Sequence, residues 1–293
     1  MCQSPQHHSL LIVVPTLNSH ALLPRLLRSL QQQTWPHWRL LYVDGPSCPQ
    51  HRQWLQQCCV AEPRCRWIMQ DPAEPGIFGA MNQGFAAAAD PEAPADWLLF
   101  WGSDDWAASP TVLAEAMAAL EQAAAGPGMP DLLVCTGRYT NFTTGALARP
   151  TLFRPIGRLG SGAYRRALLL GSTPPHQATL IGTGARVRLG RYAPGFRLSA
   201  DLDYFLQLSR HPDLRVQCLD LEVVHMSDDG ISAQQTQRRL REVHRAYQSA
   251  FGWLWWFPFL IRYIRRLASV WRSRWSRTHP TGRGSRSTPA QPD

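Results

Sequence analysis

The sequence predicts an α/β fold: a doubly wound, mostly parallel sheet flanked by helices, with a C-terminal amphipathic tail rich in aromatic and basic residues. Three observations carry this reading. Short runs of Leu, Ile and Val closed by breakers alternate with segments of helical period from residue 10 to about residue 125. The polar residues Thr16, Asn18, Asp44, Asp104 and Asp105 fall where those runs end, the edge at which parallel sheets hold ligands. The 293 residues, 44% of them apolar, suffice for one large domain plus an appendage and are too polar for several membrane spans.

Leu10–Val14 is too short for a helix and stops at Pro15, so it reads as a buried parallel strand. Ala21–Gln33 sets Leu22, Leu23, Leu26, Leu27 and Leu30 at helical spacing. A strand follows at Leu40–Val43 ahead of Asp44-Gly45, then a helix at Arg52–Val60, a short strand at Arg66–Met69 and an Ala-rich helix at Ile77–Ala89. Trp97–Trp101 is a wholly apolar strand running into Gly102-Ser103-Asp104-Asp105. A helix is predicted from Thr111, with Ser109 able to cap it and Pro110 tolerated in its first turn. Beyond it, strands are predicted at Leu132–Cys135, Ala178–Ile181 and Val216–Leu219, a helix at Leu198–Leu208, and a Gly-, Arg- and Pro-rich loop over Thr140–Leu170.

Charge and cysteine content narrow the function classes. The net charge of +9 is not spread evenly: residues 1–237 hold 18 Arg against 19 acids, whereas 238–293 hold 12 Arg against Glu242 and Asp293. The basicity therefore belongs to the tail, and with no groove-reading motif beside it, nucleic acid is not expected as a partner. Seven cysteines without paired CxxC spacing read as reduced thiols rather than a zinc or disulfide framework. The opening MCQSPQHHSL lacks a basic region followed by an apolar run, so the core is expected in the cytoplasm.

Four segments occur in order: Val-Val-Pro-Thr-Leu-Asn (13–18), Val-Asp-Gly-Pro-Ser (43–47), Gly-Ile-Phe-Gly-Ala-Met-Asn-Gln-Gly (76–84) and Phe-Trp-Gly-Ser-Asp-Asp (100–105). Together with Pro-His-Gln (175–177) and Ala-Asp-Leu-Asp (200–203), they make the chain resemble the family 2 glycosyltransferases of the GT-A fold, over about residues 10–235. The bacterial polysaccharide branch, which reads VDGxS, GIYDAMNxG, NSDD, PHQ and ADYD, is the most similar.

The resemblance implies a nucleotide-sugar site in which Asp44 takes hydrogen bonds from base and ribose beside Pro15, Thr16 and Asn18, and Glu74 closes the pocket. Gly76, Asn82 and Ser103 belong to the same donor site, where a helix N-terminus favours phosphate. Asp104 is the residue expected to hold Mg²⁺ or Mn²⁺ across the diphosphate, with Asp105 and His225 as further metal ligands. Two departures stand out: Gly79 where relatives often carry Asp, and Gly102 where the wider superfamily writes the first acid of Asp-x-Asp. His176 and Gln177 are assigned to the acceptor or diphosphate side. Asp201 is the candidate general base, taking the acceptor hydroxyl's proton during in-line displacement with inversion, while Asp203 points elsewhere. Bland readings remain beside these: turn formation for Asp44-Gly45, helix capping for Asp105 and for the start of the Leu198–Leu208 helix, a structural histidine at 176.

In the tail, the aromatic block Phe251–Ile261 is followed by Arg262, Arg265, Arg266, Trp271, Arg272, Arg274 and Trp275. Pro258 and Arg262 leave it short of the roughly 20 apolar residues that a span requires. Trp beside Arg suits an interfacial helix on an anionic membrane surface through 251–275, against packing on the core or binding a protein. The domain reading is a catalytic unit over 1–237, divided into a nucleotide half (about 10–125) and an acceptor half (about 126–237), then a membrane-surface segment over 238–277 and a disordered tail over 278–293. The expected function is metal-dependent, inverting hexosyl transfer from a UDP- or GDP-sugar to a glycan or lipid-linked acceptor in cell-surface polysaccharide or lipopolysaccharide synthesis, with the enzyme peripheral on the inner face of the cytoplasmic membrane. A catalytically impaired nucleotide-sugar-binding or scaffold protein is the alternative that Gly79 and Gly102 keep open. A nucleotidyltransferase is disfavoured because no Gly-rich loop with a basic residue follows the first strand.

Overall fold

A computed structural model describes residues 8–264 apart from 127, 142, 143, 145, 152, 154 and 228–235. The predicted disorder of 278–293 and the segment 265–277 lie outside the described residues.

The nucleotide half follows the predicted alternation: β1 (Leu10–Thr16), α1 (Leu23–Gln31), β2 (Trp38–Asp44), α2 (Pro49–Ala61), β3 (Cys65–Met69), α3 (Ile77–Ala88), β4 (Trp97–Phe100), β5 (Trp106–Ala107) and α4 (Val112–Ala125). Strands β3, β2, β1 and β4 lie side by side and parallel, with Thr16 level with Asp44 and Val13 level with Phe100. Helices cover both faces, so β1, β2 and β4 are apolar along nearly their whole length and almost fully buried. That burial explains why these runs lack the alternation of a half-exposed strand. Ser109 does help to start α4, but from outside it: its hydroxyl accepts the Thr111 N–H at 3.3 Å, and the helix begins at Val112.

The second half contains β6 (Leu132–Thr140), β7 (Leu147–Pro150), β8 (Gly157–Gly160), α5 (Ser161–Leu169), β9 (Thr179–Gly182), α6 (Thr183–Arg188), α7 (Ala200–Leu208), β10 (Arg215–Ser227) and α8 (Thr236–Phe251). It extends the sheet to the order β3-β2-β1-β4-β9-β6-β10-β5, with β7 beside β6 and β8 beside β10. Antiparallel β9 joins β4 to β6, so the sheet is mixed rather than parallel throughout. The expected loop over Thr140–Leu170 is replaced by β7, β8 and α5. The reason is physical: β7 is exposed at all four positions and β8 is at most half-buried, so neither needs an apolar pattern.

No structural break occurs at residues 237/238. Val243, Ala246, Tyr247 and Ala250 of α8 are buried in the same core cluster as Leu202, Phe205 and Leu206 of α7. The Glu242 carboxylate, 7% exposed, accepts the backbone N–H groups of Arg197 (3.0 Å), Leu198 (2.8 Å) and Ser199 (3.0 Å), the residues leading into α7. A short 3-10 turn (Gly252–Trp255) and a helical stretch over 256–264 follow, with Trp255 and Phe259 packed on that core. Pro258 lies in the first turn of this stretch, where a proline costs no hydrogen bond, so it is compatible with a helix there.

Because three charge-assisted hydrogen bonds converge on Glu242, Glu242→Ala is expected to lower stability by about 2 kcal/mol, leaving the Ser199 N–H buried and unpaired. A urea unfolding curve with unchanged slope and a shifted midpoint would register it.

Candidate active site

The carboxyl ends of β1, β2 and β4 meet at one edge of the sheet. Asp44 ends β2 with its side chain out of contact with solvent. Its Oδ1 accepts hydrogen bonds from Thr16 Oγ1 (3.1 Å) and Ser47 Oγ (2.6 Å), with His51 Nε2 at 3.1 Å and Arg52 Nε 3.5 Å from Oδ2. Burial lowers the His51 pKa, opposed in part by the Asp44 carboxylate. Asn18, in the left-handed region at φ 52°, takes the Cys48 N–H on its side-chain oxygen (2.8 Å) and gives its own N–H to Ser47 Oγ (2.9 Å). Ser103 donates to the Pro15 carbonyl (3.1 Å) and accepts from Ser19 (2.9 Å). The donor-side residues Pro15, Thr16, Asn18, Asp44 and Ser103 are thus brought together as a network joining three loops, and Asp44 is its buried hub.

Asp104 stands beyond β4, partly buried and with no cation paired to it among the described residues; burial raises its pKa. A carboxylate in that position is short of positive charge, which suits a divalent cation and makes Asp104 the residue able to hold one. The expected three-ligand set does not form. Asp105 is 3% exposed and its Oδ2 accepts the Gly102 N–H at 2.6 Å, closing the turn, and burial with the neighbouring Asp104 charge raises its pKa well above the ordinary value. His225 lies on β10 level with Trp106, its Nε2 2.9 Å from Glu222 Oε1. Among the described residues no three His, Cys, Asp or Glu side chains gather as a metal site.

The two glycine departures prove to be packing features. A Cβ at Gly102 would lie 2.8 Å from Asp104 Oδ1, so the Asp104 carboxylate leans into the space that a first acid would fill. A Cβ at Gly79 would lie 1.8 Å from the Glu74 carbonyl oxygen, so the loop before α3 can rest on the helix only because residue 79 has no side chain. Seated there, Glu74 pairs with Arg191 (2.7 Å) and accepts a hydrogen bond from Asn82 Nδ2 (3.3 Å). Asn82 Oδ1 in turn accepts the Tyr192 N–H (2.7 Å). Glu74 and Asn82 therefore tie α3 to the 191–192 segment, and Gly76 caps α3 at φ 89°.

His176 is buried, stacked on Phe100 at 5.4 Å, and shares a 2.5 Å hydrogen bond between Nε2 and the Tyr192 hydroxyl. Burial lowers its pKa, opposed in part by the Asp201 carboxylate nearby. The Gln177 carbonyl accepts the Trp101 indole N–H (3.0 Å), which sets this turn against the end of β4. Asp201 lies in the first turn of α7, half-buried, with no side-chain hydrogen bond among the described residues, so it does not cap that helix. Asp203 is 5% exposed, bonded to Gln207 (3.2 Å), and burial raises its pKa.

Tyr192 and Arg262 escaped the sequence reading of the site. The Arg262 guanidinium reaches back from the C-terminal stretch to Thr173 Oγ1 (2.5 Å) and the Tyr247 hydroxyl (3.5 Å). Burial pulls its pKa down, but Tyr247 and Asp201 outweigh this and leave it raised. Gly171, at φ 73°, makes the approach possible, since a Cβ there would lie 2.9 Å from the Arg262 nitrogen. No sequence signal marks either residue, because both act through contacts across long sequence separations.

Comparison with known proteins matches residues 11–160 to Glycosyl transferase family 2. Two curated relatives, PGL/p-HBAD biosynthesis glycosyltransferases of Mycobacterium tuberculosis and Mycobacterium bovis, are 28% identical over 224 residues, covering 75% of this chain and 77% of theirs. Among solved structures, S. aureus TarS 1–349 aligns at TM-score 0.60 with 16% identity over 83% of this chain, which spans just under two thirds (66%) of that one. The same TarS fragment in complex with UDP-GlcNAc aligns at TM-score 0.62. The mannosyltransferase PcManGT of Pyrobaculum calidifontis, in complex with GDP-Man and Mn²⁺, aligns at TM-score 0.57 with 12% identity over 84% of this chain and 65% of its own. At these identities the structural likeness establishes the GT-A-type fold alone.

Asp203 offers a test by pH. Its raised pKa means that the folded state holds the proton more tightly than the unfolded chain, so its contribution is full below the ordinary carboxylate range and is lost as pH rises through the shifted value. Asp203→Asn removes that loss. Melting temperatures across pH should separate in favour of the variant as pH rises and converge in acid.

Proposed function

The chain belongs to glycosyl transferase family 2, and on that premise we propose that it is an inverting, metal-dependent hexosyltransferase that carries a sugar from a UDP- or GDP-sugar to a glycan or lipid-linked acceptor in cell-surface polysaccharide or lipopolysaccharide synthesis. The observation that carries the reading is a pair of candidate carboxylates with different surroundings: Asp104 just beyond β4, and Asp201 near enough to His176, which stacks on Phe100 of β4, for its charge to act on that ring. Donors bound by TarS (UDP-GlcNAc) and PcManGT (GDP-Man with Mn²⁺) support a nucleotide-sugar and a divalent metal here. The mycobacterial relatives' biosynthetic names support a role in building glycans.

The residues divide the work. The Asp44 hub fixes the β1 and β2 loops that receive base and ribose. Asp104 holds the cation, which when bound neutralises the diphosphate and eases its departure. His176, fixed between Phe100 and Tyr192, orients the wall between donor and acceptor. Asp201, free of internal hydrogen bonds, is available to take the acceptor hydroxyl's proton as that oxygen attacks the anomeric carbon from the side opposite the diphosphate.

We further infer that the enzyme works at an anionic membrane surface on the cytoplasmic side. Trp256, Leu260 and Ile264 recur at four-residue intervals, all exposed, with Trp253 (78% exposed) one turn before them. The opposite side of the stretch carries Phe259 onto the core and Arg262 into the acceptor region. No helix among the described residues is long and apolar enough to cross a membrane.

Incubation with UDP- and GDP-sugars plus Mn²⁺ should release nucleoside diphosphate, and Asp104→Ala should cut that release by about a hundredfold or more. Asp201→Asn should cost about 10²- to 10⁴-fold in transfer, as loss of a general base does, whereas Asp203→Asn should retain transfer. Tight binding without turnover under all conditions would mark a nucleotide-sugar-binding protein instead. The surface reading has a separate check: the Trp256→Ser/Leu260→Ser double variant should keep donor hydrolysis and lose about tenfold or more in vesicle affinity.

A further inference from the structure

Helix α5 and the end of α8 frame a cleft of about 410 Å³ that the proposed reaction does not use. Arg165 and Arg166 form one wall, Leu169, Phe251 and Leu254 line the rest, and no carboxylate faces it. Arg165 is built into place: it donates to the Ala250 carbonyl (2.7 Å) and Ser209 Oγ (3.2 Å), and its guanidinium sits 4.8 Å from the centre of the Phe251 ring. Arg166 is exposed and has no hydrogen-bond or ion-pair partner among the described residues. Arg210 lies close enough to add to the positive field; burial and this third cation both depress the Arg165 pKa. One positive side chain held in place and a second one unpaired beside it, above an apolar floor and with no acid among the lining residues, describe a site for an anion that carries hydrocarbon.

The position of the cleft identifies the source of such an anion. Leu254 belongs both to the cleft lining and to the exposed apolar surface that runs through Trp253 and Trp256 to Leu260 and Ile264. Leu170, also exposed, follows directly on Leu169. An apolar floor that continues into a stripe suited to a bilayer favours a lipid headgroup over a phosphate free in solution.

We propose that this cleft binds the phosphodiester headgroup of an acidic phospholipid, with Arg166 and Arg165 on the phosphate and Leu169, Phe251 and Leu254 against the first methylenes of the chains. The proposal rests on the membrane-surface reading above and adds a second, separate contact from the catalytic domain. One helix lying in an interface leaves the enzyme free to roll about that helix axis. A headgroup held on α5 removes that freedom and gives the Asp201 face one orientation towards lipid-borne acceptors.

The experiment is co-sedimentation of the full chain with vesicles of phosphatidylcholine alone or with phosphatidylglycerol added at one part to two, comparing wild type, Arg166→Glu and Arg66→Glu. Arg66 is an exposed arginine on β3 at the far edge of the sheet, so its reversal changes net charge equally, away from the cleft. The expected result is preference of the wild type for acidic vesicles, a loss of about 20-fold on them for Arg166→Glu, which exchanges one attraction at the surface for one repulsion, and a change under about twofold for Arg66→Glu. Equal losses for the two reversals would mean bulk charge alone and would overturn the cleft. Unchanged binding of Arg166→Glu would overturn it too, while leaving the membrane-surface reading standing. If the wild type bound neither vesicle, both would fall together. Arg166 is exposed and unpaired, and a melting temperature equal to wild type verifies that its reversal leaves the fold intact.

Discussion

The constraint on which the rest depends is burial of the parallel strands on both faces. Leu10, Ile12, Val13 and Val14 of β1, Tyr42 and Val43 of β2, and Leu98, Leu99 and Phe100 of β4 have no measurable contact with solvent. A strand so placed has nowhere to put a polar side chain except beyond its last residue, since an unpaired buried polar group costs several kcal/mol. Thr16, Asp44, Ser103 and Asp104 are therefore expelled to one edge, and because the strands are parallel it is the same edge. Chemistry is concentrated there by the demands of the core before any ligand is considered. Asp44 and Thr16 stay buried within the pattern: Asp44 Oδ1 accepts hydrogen bonds from Thr16 and Ser47 with His51 beside it, and Arg52, 3.5 Å from Oδ2, offsets its charge.

The same constraint determines how much could be read from the sequence. Wholly apolar runs ended by Pro15, Asp44 and Gly102 announce β1, β2 and β4 almost to the residue, and the Leu22–Leu30 periodicity announces α1. Strands at the margin give no such signal. Every residue of β7 is exposed, β5 has two residues, and the middle of β10 is broken by Asp220 and Glu222, where its pairing with β6 shifts register. The family motifs pointed to Asp44, Asp104, His176 and Asp201 as candidates, but motif order says nothing of rotamers. It could not reveal that Asp105 turns to the Gly102 N–H or that His225 is held by Glu222. Tyr192 and Arg262 were illegible for a related reason: their places depend on contacts with residues tens of positions away.

Gly79 and Gly102 illustrate how a departure from a pattern can be misjudged when only the missing group is considered. Read as absent acids, both suggest a weakened site. In the fold each leaves room for something else. The Glu74 carbonyl occupies the space above Gly79 and brings the Glu74 carboxylate to Arg191 and Asn82; the Asp104 carboxylate leans over Gly102. One acid at the strand end would leave most of a divalent cation's ligands to come from elsewhere than this chain.

The C-terminal segment is better understood as a layer of the enzyme than as an appendage. Glu242 anchors the entry to α7, and so the backbone from which Asp201 projects, through three backbone N–H groups. Twenty residues further on, Arg262 reaches Thr173 beside the His176 turn. The apolar surface formed by Trp253, Trp256, Leu260 and Ile264 lies outside the contacts that bind this segment to the core, so what touches that surface also bears on the Thr173 turn that Arg262 reaches. The two faces of the segment are then not separable by cutting the chain: removal of residues after Ala250 takes away Arg262, Trp255 and Phe259 together with the surface stripe. Only substitutions confined to one face of the segment can distinguish what its exposed surface does from what its packed side holds in place.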